Sequence, residues 1–360
     1  MNRVRELLKI DSLHRAGITG AGVGVAVLDS GIFAHADLRG RIAASYDVSD
    51  KKQNGSDSDF RGDSHVNGCG MGKDDNIYSK HGFGRAEDDN IYSGHGCGMG
   101  KDDNIYSKHD FGRAEDDNGH GTHVAGIIAG DGFLSHGKWR GIAPGARIIA
   151  VKVLRKDGLG KAADLMAGME WVLKNREKYG IRIANISIGA RPEGAPEEAR
   201  LIRGVEALWD AGIVVTAAAG NNGPGAGTVT VPGSSRRIIT VGASDDATPV
   251  WMGGRRREGY SGCGPVPDTC VIKPEVVAPG GRIMSLAHRY QGYTAKSGTS
   301  MAAPIVAGVI ALLLGQRPEL TPKEVKKLLF ETSADLGLPK EKQGWGMVCP
   351  EKLLNGKFFR

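Results

Sequence analysis

Short runs rich in Val, Ile and Ala recur along the chain at Val23–Asp29, Arg147–Leu154, Ile183–Ile188, Ile213–Ala219 and Ile238–Val241. Continuous apolar runs of this length suit strands buried on both faces of a parallel sheet. Between them, over His120–Gly130, Ala162–Tyr179 and Pro196–Ala211, apolar residues return at helical spacing, and Ser300–Gln316 and Pro322–Thr332 add two later helices. Strand and helix in alternation predict an α/β fold with a largely parallel sheet covered by helices. Sites in such sheets form at the carboxyl ends of strands. Asp29 ends one apolar run and Asn221 follows another, so both stand where working groups belong.

One region breaks the alternation. From Gly68 to Asn118 the chain is polar, Gly-rich and repetitive, with Asp-Asp-Asn recurring at 74, 88, 102 and 116, a period of 14. At twice that period, residues 68–90 match residues 96–118 at 22 of 23 positions, differing only at Gly82 and Asp110. Near-identity of this kind reads as a recent tandem duplication. Calcium-binding β-roll repeats rest on a nonapeptide period, which 14 does not supply. The segment is therefore expected to be a surface insertion, tolerated because loop-closure entropy grows slowly with length.

At 360 residues the chain has room for one large α/β domain or two ordinary ones. The longest apolar stretch, Met301 to Leu314, contains Pro304 and falls short of the roughly 20 residues a membrane helix needs. It reads as a buried core helix, and no membrane partner is expected. The net charge is +6, but Lys and Arg are spread along the chain. The densest run, Arg255-Arg256-Arg257, reads as a solvated basic loop, so nucleic acid is not an expected partner either. The first residues, MNRVRELLKIDSLHRAG, carry no apolar h-region or small-residue cleavage site. The five Cys are an odd count without metal-finger spacing, and Cys69 and Cys97 are copies of one repeat position. Together these favour a reducing compartment, cytoplasmic rather than secreted.

Three segments carry chemistry. In Gly298-Thr299-Ser300-Met301-Ala302-Ala303-Pro304, Ser300 opens an apolar helix, with its Oγ at the positive end of the helix dipole. Its backbone N–H points outward there, which suits a nucleophile whose substrate develops negative charge. Ser is also a favoured helix cap, and on this heptapeptide alone the two readings stand level. A Ser hydroxyl needs a base. In Asn118-Gly119-His120-Gly121-Thr122-His123-Val124-Ala125-Gly126, glycines on both sides of His120 let the backbone pass close to its neighbours. His123 lies one turn further on and reads as structural. His95, in Gly94-His95-Gly96, is not followed by Thr-His-Val-Ala-Gly and sits in another repeat register. The third segment, Val25-Ala26-Val27-Leu28-Asp29-Ser30-Gly31-Ile32, ends an apolar strand in a carboxylate. Burying one is costly unless it is hydrogen-bonded, and an imidazole N–H is a natural partner.

These segments, in the order Asp, His, Ser, closely resemble the subtilisin-like serine proteases (subtilases, peptidase family S8), and that order separates them from the chymotrypsin-like and α/β-hydrolase arrangements. The resemblance covers roughly residues 10–50 and 116–350 and implies a three-layer subtilisin-like α/β fold, 1–360 being a single peptidase domain with the insertion 68–118 within it. It implies a serine endopeptidase with Asp29, His120 and Ser300 as catalytic triad. In Ala217-Ala218-Ala219-Gly220-Asn221 it implies Asn221 as the oxyanion donor. Ser187-Ile188-Gly189 and Gly158-Leu159-Gly160 become the two edges of the cleft, and Thr230 takes a position where many relatives have Gly at the floor of the primary pocket. Protein or peptide substrates of broad specificity are implied, and no cofactor is required. Asp37 is a calcium candidate, although Asp131–Arg140 lacks a clear ligand pattern. The rival expectation is a catalytically impaired, subtilisin-shaped binding protein whose repeats are the functional surface. The sequence specifies no oligomeric state.

Overall fold

A computed structural model describes residues 1–49, 114–189, 196–252, 254–267, 269–288 and 291–355. His95, Cys69, Cys97 and the repeat segment up to residue 113 lie outside them. Helices α1 (Asn2–Leu7) and α2 (Ile10–Arg15) lead into β1 (Gly24–Asp29), whose six residues are all buried. Strand β2 (Ile42–Asp47) and helix α3 (His120–Ala129) stand on either side of the insertion. There follow β3 (Arg147–Lys152), α4 (Ala162–Tyr179), β4 (Ile181–Ile186), α5 (Pro196–Asp210), β5 (Val214–Ala218) and β6 (Ile239–Ala243). Strands β7 (Val250–Met252) and β8 (Arg255–Arg257) form a hairpin, and β9 (Val276–Ala278) returns to the sheet. Strands β10 (Ile283–Leu286) and β11 (Tyr293–Lys296) form a second hairpin. Helices α6 (Thr299–Gln316), α7 (Pro322–Thr332), α8 (Lys340–Gln343) and α9 (Pro350–Asn355) complete the order.

Among the described residues the main sheet has seven strands in the order β2-β3-β1-β4-β5-β6-β9, all paired in parallel. Helices α3 and α6 pack together against one face, and α4 and α5 against the other. This is the expected three-layer α/β architecture. Each strand and helix expected from the apolar pattern is present, its ends displaced by no more than two residues. Strands β2 and β9 escape the pattern. The sequence of β2, IAASYD, is half-buried at one edge and has no apolar run; β9 has three residues, too few to show a period. The Arg255–Arg257 run needs a correction: it forms strand β8 rather than a loop, because it pairs with Val250–Met252. Cys263, Cys270 and Cys349 are free thiols.

Helix α6 is apolar on all sides, and every residue from Met301 to Leu314 is buried. A helix of that kind has no solvent face and must run through a core. By length and composition it could cross a membrane, yet it lies packed against β4, β5, β6 and α3.

A charged cluster is buried where β6 and β9 meet α7. The Glu275 carboxylate accepts from Lys273 Nζ at 2.7 and 2.8 Å, from Lys326 Nζ at 2.9 Å and from the Thr240 N–H at 2.8 Å. Loss of solvent pushes the fully buried Lys273 ammonium down from 10.5 to about 8; Lys326 adds to the fall and Glu275 opposes it. The folded state therefore releases this proton near pH 8, while the unfolded chain holds it to 10.5. Stability from this group is present above the higher value and lost as pH falls through the lower one. The stability advantage of wild type over Lys273→Met should grow between these pH values by on the order of 3 kcal/mol. Urea unfolding at each pH measures it, and an advantage that stays flat would contradict the assignment.

Candidate active site

Strand β1 lies between β3 and β4. The chain fills one side of it and then the other, which makes its carboxyl end the switch point where α/β sheets form a crevice. Asp29 is the last residue of β1 and is fully buried. Facing it is His120, the first residue of α3. The approach depends on glycine: a Cβ on Gly121 would lie 2.1 Å from the Gly31 carbonyl oxygen, and Gly119 holds φ at +95° before the helix. With the backbones this close, His120 Nδ1 donates to Asp29 Oδ1 at 2.7 Å and reaches Oδ2 at 2.9 Å. The Ser30 N–H also donates to Oδ1, at 2.8 Å. An ionised carboxylate only accepts, so the proton of a neutral His120 sits on Nδ1 and the lone pair on Nε2.

Ser300 is the second residue of α6, and its Oγ donates to the Ser187 carbonyl oxygen at 2.8 Å. Pro304 lacks the N–H that would have bonded the Ser300 carbonyl one turn back. Asn221 stands beyond the carboxyl end of β5, and its Oδ1 accepts from the Thr299 N–H at 3.0 Å and from Thr299 Oγ1 at 3.1 Å. A side-chain NH2 cannot accept from the Thr299 N–H, so the amide orientation is fixed with Oδ1 toward Thr299 and Nδ2 carries its donors away from it. The Gly220 N–H donates to the same threonine hydroxyl at 3.1 Å. Thr299 thereby couples Asn221 to the residue next to it, Ser300.

The two expected cleft edges leave the sheet on either side of β1. Ser187-Ile188-Gly189 follows β4, with the Ser187 hydroxyl held by Asn185 Nδ2 at 2.9 Å. Gly158-Leu159-Gly160 lies in the turn after β3, closed by the Arg155 N–H on the Leu159 carbonyl at 2.8 Å. Thr230 fills the space between two glycines. A Cβ on Gly189 would lie 2.4 Å from Thr230 Oγ1, and one on Gly220 would lie 2.5 Å from its Cγ2. The Thr230 hydroxyl is buried with no hydrogen-bond partner among the described residues.

His123, expected to be structural, is fully buried, with Nε2 on the Ile283 and Thr294 carbonyls at 2.9 and 3.1 Å. Burial pushes its pKa well below the usual value, with Lys296 and His120 adding to the fall, so it stays neutral. Asp37, the calcium candidate, sits among protein donors. It is buried, with Oδ1 taken by the Leu134 N–H at 3.0 Å and Oδ2 by the Tyr293 hydroxyl at 2.8 Å. Among the described residues no three acidic, His or Cys side chains converge. Two residues escaped the sequence reading, Thr299 and Asp116. Thr299 lay in the quoted Ser motif. Asp116 stands in the sequence as a repeat position, although an acidic residue a few places before a helix is a capping signal.

Gly121→Ala should cost at least about 1–3 kcal/mol, because the Gly31 carbonyl is backbone and cannot step aside. Gly225→Ala, where the nearest atom to the new Cβ is 3.7 Å away, should stay within roughly 0.5 kcal/mol of wild type. Calorimetric melting of the two variants makes the comparison, and equal melting points would refute the close contact.

The family model described as the Subtilase family matches residues 20–346. Serine protease AprX of Bacillus subtilis is 36% identical over 330 residues, covering 87% of this chain and 61% of that protein. Subtilisin Savinase of Lederbergia lenta is 30% identical over 329 residues, covering 90% of this chain and 88% of the relative. Among solved structures, a cold adapted subtilisin-like serine proteinase superposes with a TM-score of 0.60 at 26% identity, over 92% of this chain and 88% of its own. The chain thus spans about three-fifths of the length of AprX.

Proposed function

The chain belongs to the subtilase family, and on that footing we propose that it is a serine endopeptidase acting through Asp29, His120 and Ser300. The observation that carries this reading is the buried 2.7 Å hydrogen bond from His120 Nδ1 to Asp29, which leaves Nε2 as the basic nitrogen of the ring. A hydroxyl has one proton, and that of Ser300 now goes to the Ser187 carbonyl. Rotation about χ1 would bring Oγ to His120 Nε2 as substrate enters. Oγ then attacks the peptide carbonyl while Nε2 takes its proton, and Asp29 stabilises the imidazolium. The oxyanion is received by Asn221 Nδ2 and the Ser300 N–H, and Thr299 keeps the amide turned the right way. His120 protonates the leaving amine, and water repeats the sequence on the acyl-enzyme. The chemistry requires no cofactor.

An extended protein or peptide segment lies between Ser187–Gly189 and Gly158–Gly160 as an added strand. Main-chain hydrogen bonds then supply most of the affinity, which makes specificity broad. Thr230 sets the exception. Its side chain occupies the gap between Gly189 and Gly220, so large aromatic P1 residues are disfavoured.

A fluorophosphonate should label wild type at Ser300, leave Ser300→Ala unlabelled and label His120→Ala far more slowly; mass spectrometry of the peptide identifies the site. Labelling elsewhere, or none in wild type, would overturn the assignment. Asn221→Ala should lower kcat by about 10²–10³ with little change in KM, a magnitude carried over from a subtilisin's oxyanion asparagine. In a P1-varied peptide series, wild type should prefer Leu to Phe, and Thr230→Gly should gain roughly 10-fold or more in kcat/KM for Phe. A wild-type preference for Phe would dispose of the Thr230 argument.

A further inference from the structure

The carboxylate of Asp116 is buried, at 4% exposure, and is not one of the three proposed catalytic groups. It nevertheless accepts five hydrogen bonds. Oδ1 takes the Ser30 hydroxyl at 2.8 Å, the Asn118 N–H at 3.0 Å and the Gly119 N–H at 2.7 Å. Oδ2 takes the Thr122 N–H at 2.9 Å and the Thr122 hydroxyl at 2.5 Å. The donors fall into two groups. Ser30 is the residue after Asp29, while Asn118, Gly119 and Thr122 surround His120 at the start of α3. The two hydroxyls are locked in turn, since Ser30 Oγ accepts from the Gly121 N–H at 2.9 Å and Thr122 Oγ1 from the Phe33 N–H at 2.9 Å.

These bonds close a ring. Asp116 holds Ser30, the Ser30 N–H holds Asp29, Asp29 holds His120, and the first turn of α3 runs back to Asp116. Gly119 has no side chain with which to cap α3, so the carboxylate from Asp116 supplies the acceptor and the negative charge that a helix start favours. The backbone around it is anchored too. The Ile32 N–H donates to the Ala114 carbonyl at 3.0 Å, and Lys152 Nζ bonds the Glu115 carbonyl at 2.7 Å.

We infer that Asp116 is a positioning residue for the Asp29–His120 pair, fixing the strand end that carries the acid relative to the helix start that carries the base. Asp116, which opens the fourth Asp-Asp-Asn copy of the repeat, is thereby part of the catalytic framework. The inference rests on the proposed triad and acts through its geometry.

The test uses the whole chain, with active sites counted by exhaustive fluorophosphonate labelling and kcat expressed per labelled site. Counting sites in this way removes any molecules that failed to fold. Asp116→Ala should lower kcat per site by about 10²-fold while KM stays within about twofold, the signature of displaced catalytic groups rather than lost substrate contacts. Asp116→Asn keeps an acceptor for Ser30 but not for Thr122, and should fall between. Ser30→Ala removes one arm of the ring and carries the test if Asp116→Ala gives no folded protein. Asp117→Asn, which alters only an exposed pair with Lys152, should match wild type. Variants with lower melting points but wild-type kcat per site would show that Asp116 serves folding alone and would overturn the inference. A wild type that labels nowhere and cleaves no peptide would instead sink the proposed activity.

Discussion

The contact between two stretches of backbone, the first turn of α3 and the loop after β1, is the constraint on which the rest of the site depends. Gly121 lies against the Gly31 carbonyl with no room for a single carbon between them. Only at that separation can a short imidazole reach a short carboxylate at 2.7 Å. A longer acid could span a wider gap, but with more rotamers and a looser base. Glycine here gives up conformational economy in return for proximity, and the surrounding hydrogen bonds restore the order that glycine alone would lose.

The interior carries its charges under one rule. Asp29, Asp37, Asp116 and Glu275 are all buried, and each accepts from two or more protein donors. A carboxylate without such donors would be severely destabilising in this core. What separates the four is the kind of donor. Asp37 is held by a backbone N–H and a tyrosine hydroxyl, and Asp116 by backbone and hydroxyl groups. Glu275 is held mainly by ammonium groups, which locks α7 against the sheet. Of the four, Asp29 is the one hydrogen-bonded by an imidazole, a donor whose charge can change during a reaction, whereas the His35 ring stays 3.8 Å from Asp37. The same device therefore builds a framework in three places and a reactive pair in one.

The repeat segment enters immediately before that pair. Its last residues, 114–118, are fastened by Ile32, Lys152 and the Asp116 carboxylate before the helix begins. The Asp116 carboxylate alone accepts five hydrogen bonds at this junction.

The sequence by itself determined the sheet and helices, because runs such as GVAVLD and the all-apolar α6 have no other way to leave water. It also determined the identity of Asp29, His120, Ser300 and Asn221 as candidates, since each sits in a local context that only a strand end or helix start explains. Edge strands β2 and β9 stayed hidden, because half-buried or three-residue segments leave no periodic trace. The tertiary structure alone decided which partners those side chains meet. It gave the Asp37 oxygens to Leu134 and Tyr293, wedged Thr230 between Gly189 and Gly220, and turned Asn221 by way of Thr299. It also brought the Ser30 hydroxyl to the Asp116 carboxylate. The Gly-His-Gly that follows this copy, where the other three run on into Ile-Tyr-Ser, is legible in the sequence, but a partner 86 residues away is set by the fold.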